Sequence, residues 1–412
     1  MRYLILILLS CCFCCSGGLA TTAPASSIIT GASGFVGRHI VHQLLQQRRV
    51  NGDVVICLVR DSKVDYEQSY WDAHLIDMKE SDRCLVKVLP YDMLDGGATL
   101  KNALLQAASL SSPSSKICVY HTASVFGPTD DPVKTANDNI KSAENVVEAM
   151  HEFVHERQTT SSEVRGHKAR LILTSSMAAV RATNQTPLNR KYYTNKDWNT
   201  LSTLDPNNWS SCYQFSKAES ERRAWELVAK YPNQLEMVSL CPSFIFGPPV
   251  PLPKLYQTTK LLRNPGENCS KSYSISLIQQ WLSGESQVQS RLCVDVRDVA
   301  KAHLAAGQIN LVCDSNDQKR YILSTEARLS SELTAEALKR AMKQHLLERG
   351  SSSGIDTSNV SCDTKFDGGV IKIGDQETEC TERLKCDLGV SCRSANETFY
   401  DMVEAMLTGV NF

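Results

Sequence analysis

The sequence carries almost no excess of charge: 44 Lys and Arg stand against 45 Asp and Glu in 412 residues, a formal net charge of −1. It therefore lacks the basic field that holds a nucleic acid and the acidic tail that attracts a polycation, so a small-molecule partner is expected. It has no internal repeat, which excludes solenoids and propellers. It also has no apolar run of the roughly 20 residues that a membrane-spanning helix needs.

The nearest approach to such a run covers residues 4–15, preceded by Arg2 and followed by Ser16, Gly17, Gly18, Leu19 and Ala20. This pattern predicts a signal peptide over residues 1–20, cleaved after Ala20; an anchor through residues 4–20 is the alternative. Cleavage leaves no membrane span and directs the chain to the secretory pathway, either the endoplasmic reticulum lumen or the exterior. Of the 16 cysteines, Cys11, Cys12, Cys14 and Cys15 fall in this leader, and Cys57, Cys118, Cys241 and Cys293 fall in apolar strand-like runs as expected buried thiols. Cys362, Cys380, Cys386 and Cys392 are the candidates for disulfides in an oxidising lumen. Glycosylation sequons at Asn184, Asn208, Asn268, Asn359 and Asn396 are compatible with the same route.

What is present is alternation. Short apolar runs at 28–30, 54–59, 85–89, 117–120, 171–173 and 235–241 are separated by stretches of helical period, such as Val36, Ile40, Leu44 and Leu45. Ile140, Ala143, Val147, Met150 and Val154 repeat the pattern before the fifth run. Strands alternating with helices predict a parallel sheet covered on both faces, a doubly wound α/β architecture that takes nucleotides. Beyond Cys241 come a proline-rich turn, a helix near 275–282, and a strand followed by a helix over 292–306. Residues 157–168 and 350–369 read as surface insertions.

At the first strand–helix junction lies Thr30-Gly31-Ala32-Ser33-Gly34-Phe35-Val36-Gly37. Glycines here allow a tight turn, close approach of backbone N–H groups to a pyrophosphate, and close packing of helix on strand. The second strand ends in Arg60-Asp61, where a guanidinium can pair with a 2′-phosphate, so NADP is preferred over NAD. In the other reading Arg60 is merely solvated and Asp61 meets the ribose. Asp92 and Met93 end the third strand near the expected adenine, and Thr122 and Ala123 follow the fourth beside the cofactor path.

Reducing a carbonyl by hydride transfer requires a proton donor for the oxygen, and a tyrosine with a lysine one helical turn later can serve, the cation lowering the phenol's pKa. Three such pairs occur: Tyr192/Lys196, Tyr213/Lys217 and Tyr256/Lys260. Only Tyr213 opens a strongly helical segment between the fifth and sixth strands, and it is the choice. The fifth strand delivers Ser175 and Ser176 to its C-terminal end, with Ser176 the preferred hydrogen-bond donor to a developing oxyanion and Ser175 the fallback.

In combination, the motifs at 30–37, 59–61, 121–124 and 174–176, with Tyr213-x-x-Ser216-Lys217, resemble the extended short-chain dehydrogenase/reductases. The similarity is to the dihydroflavonol-4-reductase-like and 3β-hydroxysteroid dehydrogenase-like branch of the epimerase/dehydratase superfamily. The helix at 139–149, Ala224-Trp225, and the run from Val294 to His303 add to it. The resemblance implies a Ser176/Tyr213/Lys217 triad and a nicotinamide packed near Pro242. It also implies a doubly wound Rossmann-type domain over 26–242 and a smaller substrate-binding portion over 243–412, in which 291–308 return to the sheet. Ser142-Ala143 replace the usual Gly-Thr, which leaves open an assisting role for Asn139.

The expected activity is NAD(P)-dependent hydride transfer to or from a carbonyl or alcohol of a small, hydrophobic, flavonoid-like or steroid-like molecule. A nucleotide-sugar epimerase or dehydratase would use the same fold and tyrosine, and a nucleotide-binding protein without turnover is a further possibility. His151-Glu152-Phe153-Val154-His155 matches the His-Glu-x-x-His of zinc metalloproteases, but no third ligand follows, so a solvated helix end is preferred and no metal is assigned. Monomer and homodimer are both compatible with the sequence.

Overall fold

The computed structural model describes residues 25–47, 54–80, 83–112, 115–160, 168–254, 272–311, 319–325, 329–348, 357–362 and 381–407. The leader, the pair Tyr256/Lys260, Asn268 and Cys380 lie outside them.

Strand β2 (Val54–Val59) is apolar and buried at every position, as a strand covered on both faces must be. It sits inside a seven-stranded, all-parallel sheet with β1 (Ala25–Thr30), β3 (Leu85–Pro90), β4 (Lys116–His121), β5 (Ala169–Thr174), β6 (Leu235–Pro242) and β9 (Arg320–Leu323). The order is β3-β2-β1-β4-β5-β6-β9, which reverses direction between β1 and β4. In open sheets of this kind the crevice at such a reversal, beyond the carboxyl ends of the strands, receives the ligand.

One face is covered by α1 (Phe35–Gln46), α2 (Val64–Ile76) and the helix Val296–Gln308. The other is covered by α3 (Ala98–Leu110), α4 (Pro132–Thr160) and α6 (Trp209–Lys230), which bury Leu104, Val147, Met150 and Ala224 against it. A third cluster, including Phe246, Ile278, Trp281, Leu338 and Phe399, forms the core of the C-terminal portion.

Three expectations are corrected. The strand near 292 does not join the main sheet: β8 (Cys293–Asp295) pairs with β7 (Phe244–Phe246) in a separate two-stranded sheet, and only the helix after it returns to the main one. The ladder changes partner within one residue, since Ser243 N–H donates to Leu323 O at 2.9 Å and Phe244 N–H to Leu292 O at 2.9 Å. The seventh strand is instead the short β9, headed by an arginine. Secondly, α4 continues through Thr160, so residues 157–160 are helix. Thirdly, the described part of 350–369 is integrated: Val360 is fully buried and Val288 N–H donates to Ser361 O at 2.8 Å.

Cys57, Cys118, Cys241 and Cys293 are buried free thiols, and Cys362, Cys386 and Cys392 are also free rather than paired. Among the described residues no helix is long and apolar enough to cross a membrane.

Candidate active site

The carboxyl ends of β1, β4, β5 and β6 open into one cleft of about 840 Å³. At its first corner Gly31 has φ +69°, and a Cβ there would stand 3.0 Å from the Ala123 backbone and from Thr122 Oγ1. A Cβ on Gly37 would fall 2.3 Å from Gly31 O, so only glycine lets α1 rise this close to β1. The two strand ends are tied together, with Thr122 Oγ1 donating to Thr30 O at 2.7 Å and Thr30 Oγ1 2.8 Å from His121 Nδ1. Gly34 precedes α1 without a side-chain cap, and no acidic residue occupies the first turn. The helix thus presents open N–H groups and its positive dipole end to the cleft, which fits a pyrophosphate.

Gly31, Ser33, Gly34, Phe35, Val36, Gly37, Arg60, Met93, Thr122, Ala123 and Pro242 all line the cleft. Arg60 ends exposed at its rim, just after β2. Asp92 does not line it: its carboxylate accepts from Leu94 N–H at 2.9 Å and is taken up by the turn before α3.

Ser176, Tyr213 and Lys217 meet at the same cleft. Ser176 caps α5 (Met177–Val180), its hydroxyl accepting from Ala178 N–H at 3.1 Å, and its side chain favours the ionised form of the Tyr213 phenol beside it. Capping and facing the phenol are therefore both satisfied by one side chain. Ser175 turns the other way, donating to Glu221 at 2.6 Å inside the core. Tyr192 and Lys196 sit in a loop and do not line the cleft.

Burial pushes the Tyr213 phenol up to about 12, against the opposing influence of the Ser176 side chain. The lysine was expected to lower it. Instead Lys217 Nζ donates to Thr174 O at 2.9 Å, and burial draws the ammonium itself down to about 8, with Glu221 and then Cys241 opposing. The phenol is thus neutral at physiological pH, the form that can deliver a proton.

His303 buttresses this arrangement. Its Nδ1 lies 2.7 Å from Val299 O, which can only accept, so Nδ1 carries the hydrogen and Nε2 accepts from Thr174 Oγ1 at 2.8 Å. Asn139 lies outside the cleft lining, and its amide clamps Val125 instead, accepting from the N–H at 2.8 Å and donating to the carbonyl at 3.0 Å.

Sequence reasoning missed the wall beside Tyr213. Phe126 lies 4.7 Å from its ring and 5.1 Å from that of Tyr273, with Trp209 at 5.9 Å and Phe244 at 6.0 Å. These rings come from four separate segments, so no local pattern announces them.

The matching family model, described as the NAD dependent epimerase/dehydratase family, spans residues 27–311. The chain belongs to that family. It is 28% identical over 290 residues to an uncharacterized oxidoreductase of Schizosaccharomyces pombe, covering 68% of this chain and 72% of the relative. It is 26% identical over 294 residues to the NADPH-dependent methylglyoxal reductase GRE2 of Saccharomyces cerevisiae, covering 69% and 74%. The crystal structure of Gre2 from Candida albicans in complex with NADPH superposes with a TM-score of 0.66 at 22% identity, covering 93% of this chain and 99% of that one.

The histidine pair on α4 is accounted for within the fold. His151 stacks on Tyr231 with centroids 3.5 Å apart, its Nδ1 is 2.7 Å from Gln234 Oε1, and His155 Nδ1 is 3.2 Å from Gln234 Nε2. Glu152 between them pairs with Lys101 at 3.1 Å.

Proposed function

We propose that this chain is an NADPH-dependent reductase of small, apolar carbonyl compounds, with Tyr213 as proton donor, Ser176 holding the carbonyl oxygen, and Lys217 orienting the bound nucleotide. The observation that carries this reading is the convergence of Ser176, Tyr213 and Lys217 on the cleft that begins at the glycine turn. NADPH supplies the hydride when bound. The protein's share is to place a carbonyl between Ser176 and Tyr213, so that the neutral phenol protonates the oxygen as charge develops on it.

Arg60 at the rim after β2 favours a 2′-phosphate over a bare ribose. The aromatic wall of Phe126, Trp209, Phe244 and Tyr273 favours a substrate with a flat apolar body, such as an aryl ketone or a flavonoid-like or steroid-like carbonyl. The name of the yeast relative, a methylglyoxal reductase, supports the same reaction on a smaller carbonyl. We further propose that residues 1–20 act as a signal peptide placing the enzyme in the secretory pathway. N-terminal sequencing of the protein from a secreting host tests this, and a retained Met1 overturns it.

Thermal unfolding with each nucleotide tests the main reading. A ligand at 100 times its dissociation constant stabilises by about 2.7 kcal/mol, so NADPH is expected to raise the midpoint more than NADH. NADPH oxidation should then follow addition of an aryl ketone. No shift with either nucleotide overturns the reading. Tightly retained NAD with turnover of a nucleotide sugar instead establishes the epimerase chemistry of the same family.

A further inference from the structure

The side chain of Glu221 is fully buried on α6, one helical turn beyond Lys217. Its carboxylate accepts from Ser175 Oγ at 2.6 Å, from Ser239 Oγ at 2.6 Å, and from Arg320 Nε at 2.7 Å and Nη2 at 3.2 Å. Arg320, equally buried on β9, donates onward to Asn195 O at 3.0 Å and to Asp197 O, and its guanidinium lies 3.9 Å over the Trp198 ring. The 194–199 loop so gripped packs on α5, where Asn199 Nδ2 donates to Ala178 O at 2.8 Å and Asn199 N–H to Ala179 O at 2.9 Å. One buried ion pair thus joins α6, β5, β6, β9 and the loop behind Ser176.

We propose that Glu221 is a positioning residue for the reaction: its carboxylate is the counter-charge that keeps Lys217 cationic, and through Ser175 and Arg320 it fixes the strand end that carries Ser176. This rests on the reductase reading for its catalytic meaning, but its electrostatic content does not.

Among the described residues, the groups that face Lys217 are few. Tyr213 and Glu221 share its helix, the Thr174 carbonyl comes from β5, Cys241 from β6, and His121 from β4. Burial holds the phenol of Tyr213 and the thiol of Cys241 neutral, pushing each up to about 12, and holds the His121 imidazole neutral by pulling it down to about 3. Glu221 is the carboxylate in this set. Burial opposes its charge, but the Arg320 guanidinium and the two serine hydroxyls outweigh burial and keep its carboxyl below the usual range. A buried cation unsupported by an anion sheds its proton, so removing that charge must make Lys217 titrate at lower pH.

The test uses Glu221→Gln, which keeps hydrogen-bonding capacity toward Ser175 and Ser239 but removes the charge. The readout independent of activity is the pH dependence of Lys217 acylation by an amine-reactive reagent, followed by peptide mass spectrometry on the whole chain. Its midpoint should fall by at least about one unit, a tenfold change in the proportion of free amine. In turnover with NADPH, the alkaline limb of kcat should move down by the same amount, while kcat near pH 6 stays within about threefold of wild type. A purely structural role would lower kcat equally at every pH. If the single variant leaves Arg320 uncompensated and fails to fold, the double variant Glu221→Gln/Arg320→Met removes both buried charges, a replacement that buried pairs commonly tolerate. A smaller fall in the same direction is expected in it, because the cation that offsets Glu221 is removed as well. A labelling midpoint unmoved in the folded variant overturns the proposal even if the enzyme reduces ketones. A moved midpoint in a chain that never oxidises NADPH supports the proposal and fails the reductase reading.

Discussion

Ser176 and Tyr213 line the same cleft, although one follows the end of β5 and the other lies near the start of α6, and the Ser176 side chain draws the phenol's pKa down against burial. The serine therefore shares the cleft with the proton donor, where a carbonyl oxygen would sit. Tyr213→Phe removes the proton and should lower kcat by about 10²–10⁴-fold, the range of general acid catalysis, with NADPH still raising the unfolding midpoint. Ser176→Ala removes one oxyanion donor and should cost about 10²–10³-fold. Steady-state rates with one aryl ketone check both. Undiminished turnover by Tyr213→Phe, with nucleotide binding intact, would remove Tyr213 from the mechanism.

Arg60 stands exposed at the rim beyond β2, with Asp61 opening the turn that follows. If its guanidinium pairs with the 2′-phosphate, Arg60→Ala forfeits a charge-assisted hydrogen bond of about 1.5–3 kcal/mol. The dissociation constant of NADPH should rise about ten- to a hundredfold while that of NADH stays nearly constant. Calorimetric titration of both nucleotides distinguishes this from the reading in which Asp61 holds the ribose. In that case NADH binds the tighter of the two and Arg60→Ala changes little.

How much of this was legible in the sequence depended on whether the signal was local. The glycine turn, β2, and the Tyr213/Lys217 pair each announce themselves within a dozen residues, because backbone conformation and helical period are local properties. Arg320 was not legible. A four-residue strand led by a charged residue reads as loop, and its burial makes sense only once Glu221, a hundred residues earlier, is known to face it. Asp92 failed for a related reason: a carboxylate at a strand end suits a ligand and a turn equally, and here the Leu94 N–H won. The expected effect of Lys217 on Tyr213 failed because spacing puts two residues on one helix face but does not say which acceptor the ammonium finds. The Thr174 carbonyl found it.

Phe126 is 40% exposed in the cleft wall although it is in contact with four other rings. A large apolar side chain left open beside the proton donor points to recognition of a flat substrate. Phe126→Ala should raise KM for aryl ketones about three- to tenfold, the worth of one aromatic contact, and leave KM for a methylglyoxal-sized carbonyl nearly unchanged. Equal effects on both substrates would mean that Phe126 only supports the Tyr213 ring.

Acid should unfold the protein through its buried histidines. Burial pulls the imidazoles of His39 and His121 down to about 3 and that of His303 down to about 4, against 6.5 for the free side chain. Their folded pKa values lie below the unfolded value, so the unfolded chain binds more protons between about pH 6.5 and pH 4. The stability they contribute is complete above pH 6.5 and is lost as pH falls toward their folded values. For His303 alone, drawn down to about 4 by burial, the loss by pH 4 is roughly 3 kcal/mol. His303→Gln retains an amide for Val299 and Thr174 but has no proton to gain. The variant should be less stable than wild type at pH 7.5, and the gap should narrow as pH falls from 6.5 to 4.5 in urea unfolding. A gap that stays constant across that window would show that His303 does not resist protonation in the folded chain, and that the acid sensitivity resides elsewhere.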